Sequence, residues 1–166
     1  MVTAIKGNDT STFGGQVVIP SPAFSVYASA SNTVSATVYT KVQLNTEKFD
    51  LTNDFDNATN YRFTPSVEGY YQINTKVRAT SSTNSLDLVI VAVYKNGSAY
   101  ESVQYNPDNS YSEECAFSTL VYLNGSTDYI ELYSSIYGSG TLSQNSVNSA
   151  LSSSMSGYLV RAVWVQ

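Results

Sequence analysis

The sequence predicts an all-β sandwich of about eight to ten short antiparallel strands in a single domain. Three observations carry that prediction. Apolar residues recur at every second position in many short runs, the period of a half-buried strand. Turn-forming pairs such as Asn96-Gly97 and Asn124-Gly125 separate the runs, and nothing has a helical period. Ser, Thr and Asn supply about a third of the 166 residues, while charged residues supply only 13%. Such polar side chains compete with helix formation, whereas Thr, Val and the fourteen Tyr suit strands.

Taken in order, residues 1–21 form an arm or the end of a β stalk, and residues 22–166 form the head. Thr10–Thr12, Gly14-Gly15, Pro20 and Pro22 punctuate the arm. Phe24, Val26 and Ala28 alternate with Ser25, Tyr27 and Ser29 in the first strand, and 38–44 make a second. The Asn- and Asp-rich segment 45–61 is a long loop with brief pairing near Phe49 and Phe55. Tyr71, Ile73, Val77 and Ala79 share one strand face, with Gln72, Asn74, Lys76 and Arg78 on the other. Leu86 to Tyr94 is apolar on both faces, so a second layer or another subunit must cover the outer one. In a chain of this length the subunit is the better answer. Asn96-Gly97 is a hairpin turn, because both central positions of a type I′ turn need positive φ. Strands at 100–105, 115–123 and 129–133 follow, with a loop at 106–112 and a long Gly-, Ser- and Asn-rich loop at 137–154. Met155 to Val165 is apolar on both sides and belongs in the middle of a sheet, since as an edge it would invite aggregation.

Composition excludes several functions. A net charge of −5 with eight scattered basic residues does not suit reading of a nucleic-acid backbone. No run of some twenty apolar residues exists, so membrane insertion by a helix is not expected. Met1 to Gly15 lacks the basic and apolar regions of a signal peptide. With no His, imidazole bases, the Ser-His-Asp arrangement and His-bearing zinc sites are absent. The single Cys115 alternates with Phe117 and reads as a buried, inert thiol. The N-x-S/T sequons at Asn8, Asn57, Asn96 and Asn124 arise by chance in so Asn-rich a chain.

Four segments resemble a known superfamily. They are Ala23-Phe24-Ser25-Val26; Asp54-Phe55-Asp56 with Thr59, Arg62-Phe63-Thr64-Pro65 and Gly69-Tyr70-Tyr71; Val121-Tyr122-Leu123-Asn124 with Asp128-Tyr129-Ile130-Glu131-Leu132; and Met155-Ser156-Gly157-Tyr158-Leu159-Val160. In this order they are similar to the jelly-roll heads of complement component 1q and of the tumour-necrosis-factor-like superfamily. Gly-Ser-Thr-Asp at 125–128 departs from the usual Gly-Asp. The resemblance implies a ten-strand antiparallel jelly roll that forms a homotrimer. It also implies that the protein is not an enzyme and requires no cofactor, although some such heads bind calcium. The segment from Gly7 to Val17 is similar to short repeats of intertwined β stalks in phage fibres and surface appendages.

The function expected from this reading is the trimeric head of a phage fibre, spike or capsid appendage at the virion surface. Its partner would be a host-surface glycan or protein, or another virion structural protein. Alternatives are the head of a bacterial surface or spore appendage, placed extracellularly, and a capsid-decoration or assembly protein. The rival class is a glycoside hydrolase working through paired carboxylates, Asp54 and Asp56 or the adjacent Glu113 and Glu114, since such pairs run that chemistry. Expected ligand contacts are Tyr105, Asn106, Asp108, Asn109, Tyr111 and Tyr137, because Tyr stacks on sugar faces while Asn and Asp bond hydroxyls. The expected trimer interface is Val89, Val91, Val93, Tyr129, Tyr158, Val160 and Trp164. Calcium candidates are Asp50, Asp54, Asp56, Asp108, Glu113 and Glu114, since that ion takes six to eight oxygens.

Overall fold

In the computed structural model residues 21–144 and 152–162 are described, and they contain thirteen strands and no helix. The arm expected at 1–21 lies outside them apart from its last residue, as do Trp164 and residues 145–151 of the loop expected at 137–154, while 137–138, 142–144 and 154 of that segment are strand instead of loop. No helix among the described residues is long and apolar enough to cross a membrane.

Two antiparallel sheets face each other. The first contains β1 (Ala23–Tyr27), β2 (Asn32–Val34), β4 (Thr46–Asp50), β7 (Glu68–Ser81), β10 (Ser112–Asn124), β12 (Leu142–Gln144) and β13 (Ser154–Ala162). Its order is β2-β12-β7-β13-β1-β4, and β10 also pairs along β7. The second contains β5 (Phe55–Asp56), β6 (Arg62–Phe63), β8 (Leu86–Lys95), β9 (Ser98–Tyr105) and β11 (Ile130–Gly138), in the order β5-β6-β11-β8-β9. The short β3 (Thr40–Lys41) joins it on β11. As the doubly apolar pattern of 155–165 requires, β13 is an inner strand, between β1 and β7.

The core lies between the sheets and is built from the inward alternate positions of each strand. Phe24 and Val26 of β1, Tyr71, Ile73 and Val77 of β7, Val121 and Leu123 of β10, and Ile130, Leu132 and Ile136 of β11 are all buried. Phe24 stacks on Phe63 at 4.3 Å between centroids, a contact worth roughly 0.5–1.5 kcal/mol beyond its buried area. Tyr71 buries its ring and satisfies its hydroxyl by donating to the Val67 carbonyl at 2.6 Å; burial raises its pKa well above the usual phenol range. Cys115 is buried with its thiol pKa pushed up by desolvation, as expected of an inert cysteine.

Two glycines are demanded by geometry. Asn96 and Gly97 both have positive φ (53° and 78°) and close the β8–β9 hairpin. At Gly69, where the chain enters β7, a Cβ would stand 2.4 Å from the Arg161 carbonyl oxygen, so only Gly lets β13 approach.

One expectation is corrected. Val89, Val91 and Val93 belong to the core and are fully buried within a single chain, so they are not available to a neighbouring subunit. The outward positions of β8 are Leu88, Ile90 and Tyr94, and the chain covers part of them itself. Tyr39 packs on Tyr94 at 6.0 Å and Tyr133 stacks on it at 4.1 Å. When both faces of a strand are apolar, alternation alone does not say which one is inside. Three short strands also went unanticipated, β2, β6 and β12: Asn-Thr-Val and Leu-Ser-Gln carry no hydrophobic period, and two residues at Arg62-Phe63 are too few to show one.

Candidate functional site

The outer face of the first sheet carries an apolar row. In the ladders, Tyr158 of β13 and Leu120 of β10 both stand opposite Gln72 of β7, while Tyr122 stands opposite Tyr70. On its other side Tyr158 pairs with Ala23, whose carbonyl receives the amide of Leu51. The row therefore runs from Leu51 across β1, β13, β7 and β10. Tyr70, Leu120, Tyr158 and Val160 are 43% to 53% exposed, large apolar side chains left to solvent by an inner part of the sheet. Tyr70 and Tyr122 pack at 5.5 Å, and the Tyr122 hydroxyl donates to Glu68, which raises the phenol's pKa.

The outer face of the second sheet is built differently. Its tyrosines are tied to cations and to each other. Lys41 donates to Glu131 at 2.6 Å and lies 5.8 Å from the Tyr133 ring centroid. Burial alone would lower the Lys41 pKa, but the Glu131 carboxylate outweighs it and pulls it up. The Arg62 guanidinium lies over Tyr129 at 4.4 Å. Tyr39 has its pKa raised by burial first and then by Tyr94 and Tyr137, so these rings are neighbours.

At the β5–β6 edge of this sheet is a cleft of about 420 Å³ lined by Asn53, Asp54, Phe55, Asp56, Arg62 and Thr64. Its floor is fixed by local bonds. Asp50 accepts the amides of Thr52 (3.3 Å) and Phe55 (2.7 Å). Asp56 accepts those of Ala58, Thr59 and Asn60 together with the Asn60 side chain. The Thr59 amide above all, helped by Ala58 and Asn60 against some desolvation, holds Asp56 at about 2 instead of its ordinary 3.8. One oxygen of Asp54 accepts from Thr52 Oγ1 at 2.6 Å and Ser66 Oγ at 3.2 Å. Thr64 closes the cleft by donating its amide to the Asp54 carbonyl.

This architecture was compared with known proteins. No protein-family model matches the sequence, and no curated protein matches it. Solved structures do match. The globular domain of zebrafish complement 1qA protein is 16% identical, with a TM-score of 0.64 over 86% of this chain and 99% of that one. Eiger TNF from S. frugiperda is 8% identical, with a TM-score of 0.65 over 89% and 97%. Murine APRIL is 10% identical, with a TM-score of 0.58 over 84% and 99%. The fold is the jelly roll shared by complement 1q and tumour necrosis factor. At these identities the likeness shows the fold alone.

Within this jelly roll the expected ligand residues divide. Asn106, Asp108, Asn109 and Tyr111 share the exposed β9–β10 loop and Tyr105 ends β9 beside it, at the open edge between the two sheets. Tyr137 pairs with Leu88 on the outer face of the second sheet, beside Tyr39, and does not join them. Of the expected interface residues, Tyr158 and Val160 are exposed on the first sheet, whereas Tyr129 sits under Arg62. The six calcium candidates are not brought together, and no three acids cluster among the described residues. Asp50, Asp54 and Asp56 hold their own loop, Glu114 pairs with Lys76 at 3.3 Å, and Asp108 accepts from Asn109. Asp56, whose oxygens accept from the Ala58, Thr59 and Asn60 amides and the Asn60 side chain, is held ionised by its own loop. Sequence reasoning missed Arg62, Tyr39, Tyr94 and Tyr133. The i, i+2 placing of Arg62 and Thr64 in the Arg62-Phe63-Thr64-Pro65 run marks a shared face, but no local signal brings Tyr39 to Tyr94.

Proposed function

We propose that the protein is a non-enzymatic recognition head that assembles as a homotrimer through the outer face of its first sheet. The apolar row from Leu51 through Tyr158 to Leu120, with Tyr70, Tyr122 and Val160, carries this reading. A contiguous patch of large apolar side chains on an inner part of a sheet marks a protein contact surface. A second copy is the occupant because Tyr158, Leu120, Val160 and Tyr70 form an exposed apolar and aromatic stretch, the composition of an interface core. The second sheet, laced with ion pairs and polar groups, then faces outward and meets the ligand. We place the head on a virion fibre or spike, or on a bacterial surface appendage, where it meets a host-surface glycan or protein. This placement draws on the similarity of Gly7 to Val17 to β stalks. Light scattering coupled to size exclusion tests the assembly. The expected mass is about three times the 18.0 kDa of one chain, and a single-chain mass would remove this reading.

A further inference from the structure

We infer that the cleft at the β5–β6 edge is a binding site for a neutral, hydroxyl-rich sugar unit. The inference rests on the reading above in one respect: assembly through the first sheet leaves this edge open. Four polar groups in the cleft have no hydrogen-bond partner among the described residues. The first is the Arg62 guanidinium. Its cross-strand neighbours are both acids, Asp56 and Glu131, yet neither takes it. Asp56 is saturated by the amides of its own loop, and Glu131 is bound to Lys41. Arg62 instead lies over the Tyr129 ring, which leaves its N–H donors unused. The others are the Asn53 side-chain amide, the second carboxylate oxygen of Asp54 and the Thr64 hydroxyl, all lining the same cleft.

Donors and acceptors are therefore mixed in one small space, fixed by a loop whose own bonds are already made. The chemistry of that mixture decides the ligand class. A phosphate or carboxylate would meet Arg62 but also the Asp54 and Asp56 charges, and a cation would meet the reverse. A sugar hydroxyl donates and accepts at once, so it satisfies Asp54 and Arg62 together. The volume of about 420 Å³ accommodates one or two sugar units. Along the sheet beyond Arg62, the exposed Tyr39 offers apolar surface for the face of a further unit in a chain.

The test is native affinity electrophoresis of the full chain in gels containing a soluble glucan, mannan or galactan, with polygalacturonate as the acidic control. Free methyl hexosides serve as competitors and separate recognition of a single unit from recognition of the polymer. Retardation by at least one neutral polymer is expected. Arg62→Gln should weaken it roughly tenfold or more, and Thr64→Val by a smaller factor. Both substitutions are on the solvent side, and circular dichroism confirms that each variant is folded. Retardation by the acidic polymer alone overturns the neutral assignment. So does the absence of retardation in every gel, and equal retardation of Arg62→Gln and Thr64→Val overturns the location. The mass of the same samples separates the two ideas. A trimer that binds no polysaccharide sinks only this inference, whereas a monomer that binds one sinks only the assembly.

Discussion

The two outer faces of this sandwich are both rich in tyrosine, but only the first leaves a row of large apolar side chains uncovered. On the second sheet four rings have partners: Tyr129 has Arg62, Tyr133 has Lys41 and Tyr94, and Tyr39 has Tyr94. On the first sheet Tyr122 has Lys95 and Tyr70, and Tyr27 has Lys48, while Tyr158, Leu120 and Val160 lie open in a row. The lesson is that residue count does not separate a contact surface from a ligand surface. The presence of an uncovered row of rings and methyl groups does. A ring covered by a guanidinium is already compatible with water, whereas a bare row of rings and methyl groups gains most by meeting another apolar surface.

The sharpest way to break this comparison is to put charge into the first face. Leu120→Glu combined with Tyr158→Glu should convert the assembly to single chains of 18.0 kDa, weakening association by about a hundredfold or more. Light scattering reads the result directly, and an unchanged mass would show that this face is not the contact.

The second face is tested through its ion pair. Lys41→Met leaves the Glu131 carboxylate buried without a counter-charge and should cost about 2 kcal/mol in urea unfolding. That figure is kept low because the Lys41 side chain is 29% exposed. The double change Lys41→Met with Glu131→Leu should restore most of the loss, to within about 1 kcal/mol of the parent. If the double variant is as unstable as the single one, the pair matters for more than charge compensation.

The smallest effect concerns the loop under the cleft. The Asp56 pKa is lower in the folded protein than its ordinary value, so the carboxylate stabilises the fold above pH 3.8. That stabilisation is lost as pH falls through about 2. Asp56→Asn should therefore flatten the pH dependence of stability across this window. An unchanged acid-unfolding profile would mean that the loop amides do not hold the charge.

Much of the fold was legible because alternation is local. The faces of β7, the Asn96-Gly97 hairpin and the inner position of β13 all follow from a few consecutive residues. The faces of β8 were not legible, since Leu88, Ile90 and the valines are equally apolar and only the partner sheet decides which row is inside. The candidate site was less readable still. Arg62 was in plain view, but its importance comes from the loss of two nearby acids to other partners, one held by loop amides and the other by a lysine from β3. The acids that looked like metal ligands, Asp50 and Asp56, turned out to be the bolts of the loop. Asx side chains commonly take that role when backbone amides are near in sequence.

The ladder between β1 and β13 has one more consequence, for the order in which the chain must be assembled. Ala23 pairs with Tyr158, and Met155 to Gly157 lies against both Thr75 and Val26 or their neighbours. As the polypeptide emerges from the ribosome, β1 and one side of β7 are therefore complete in sequence long before the strand that joins them exists. Pairing across such a separation is slow, because the intervening loop must be closed before any contact rewards it. Until residues 154–162 arrive, the nascent head presents two open strand edges, the feature most prone to wrong pairing with a neighbouring nascent chain. The polar Ser, Thr and Asn that dilute its strands are then a safeguard during synthesis as much as a property of the finished surface.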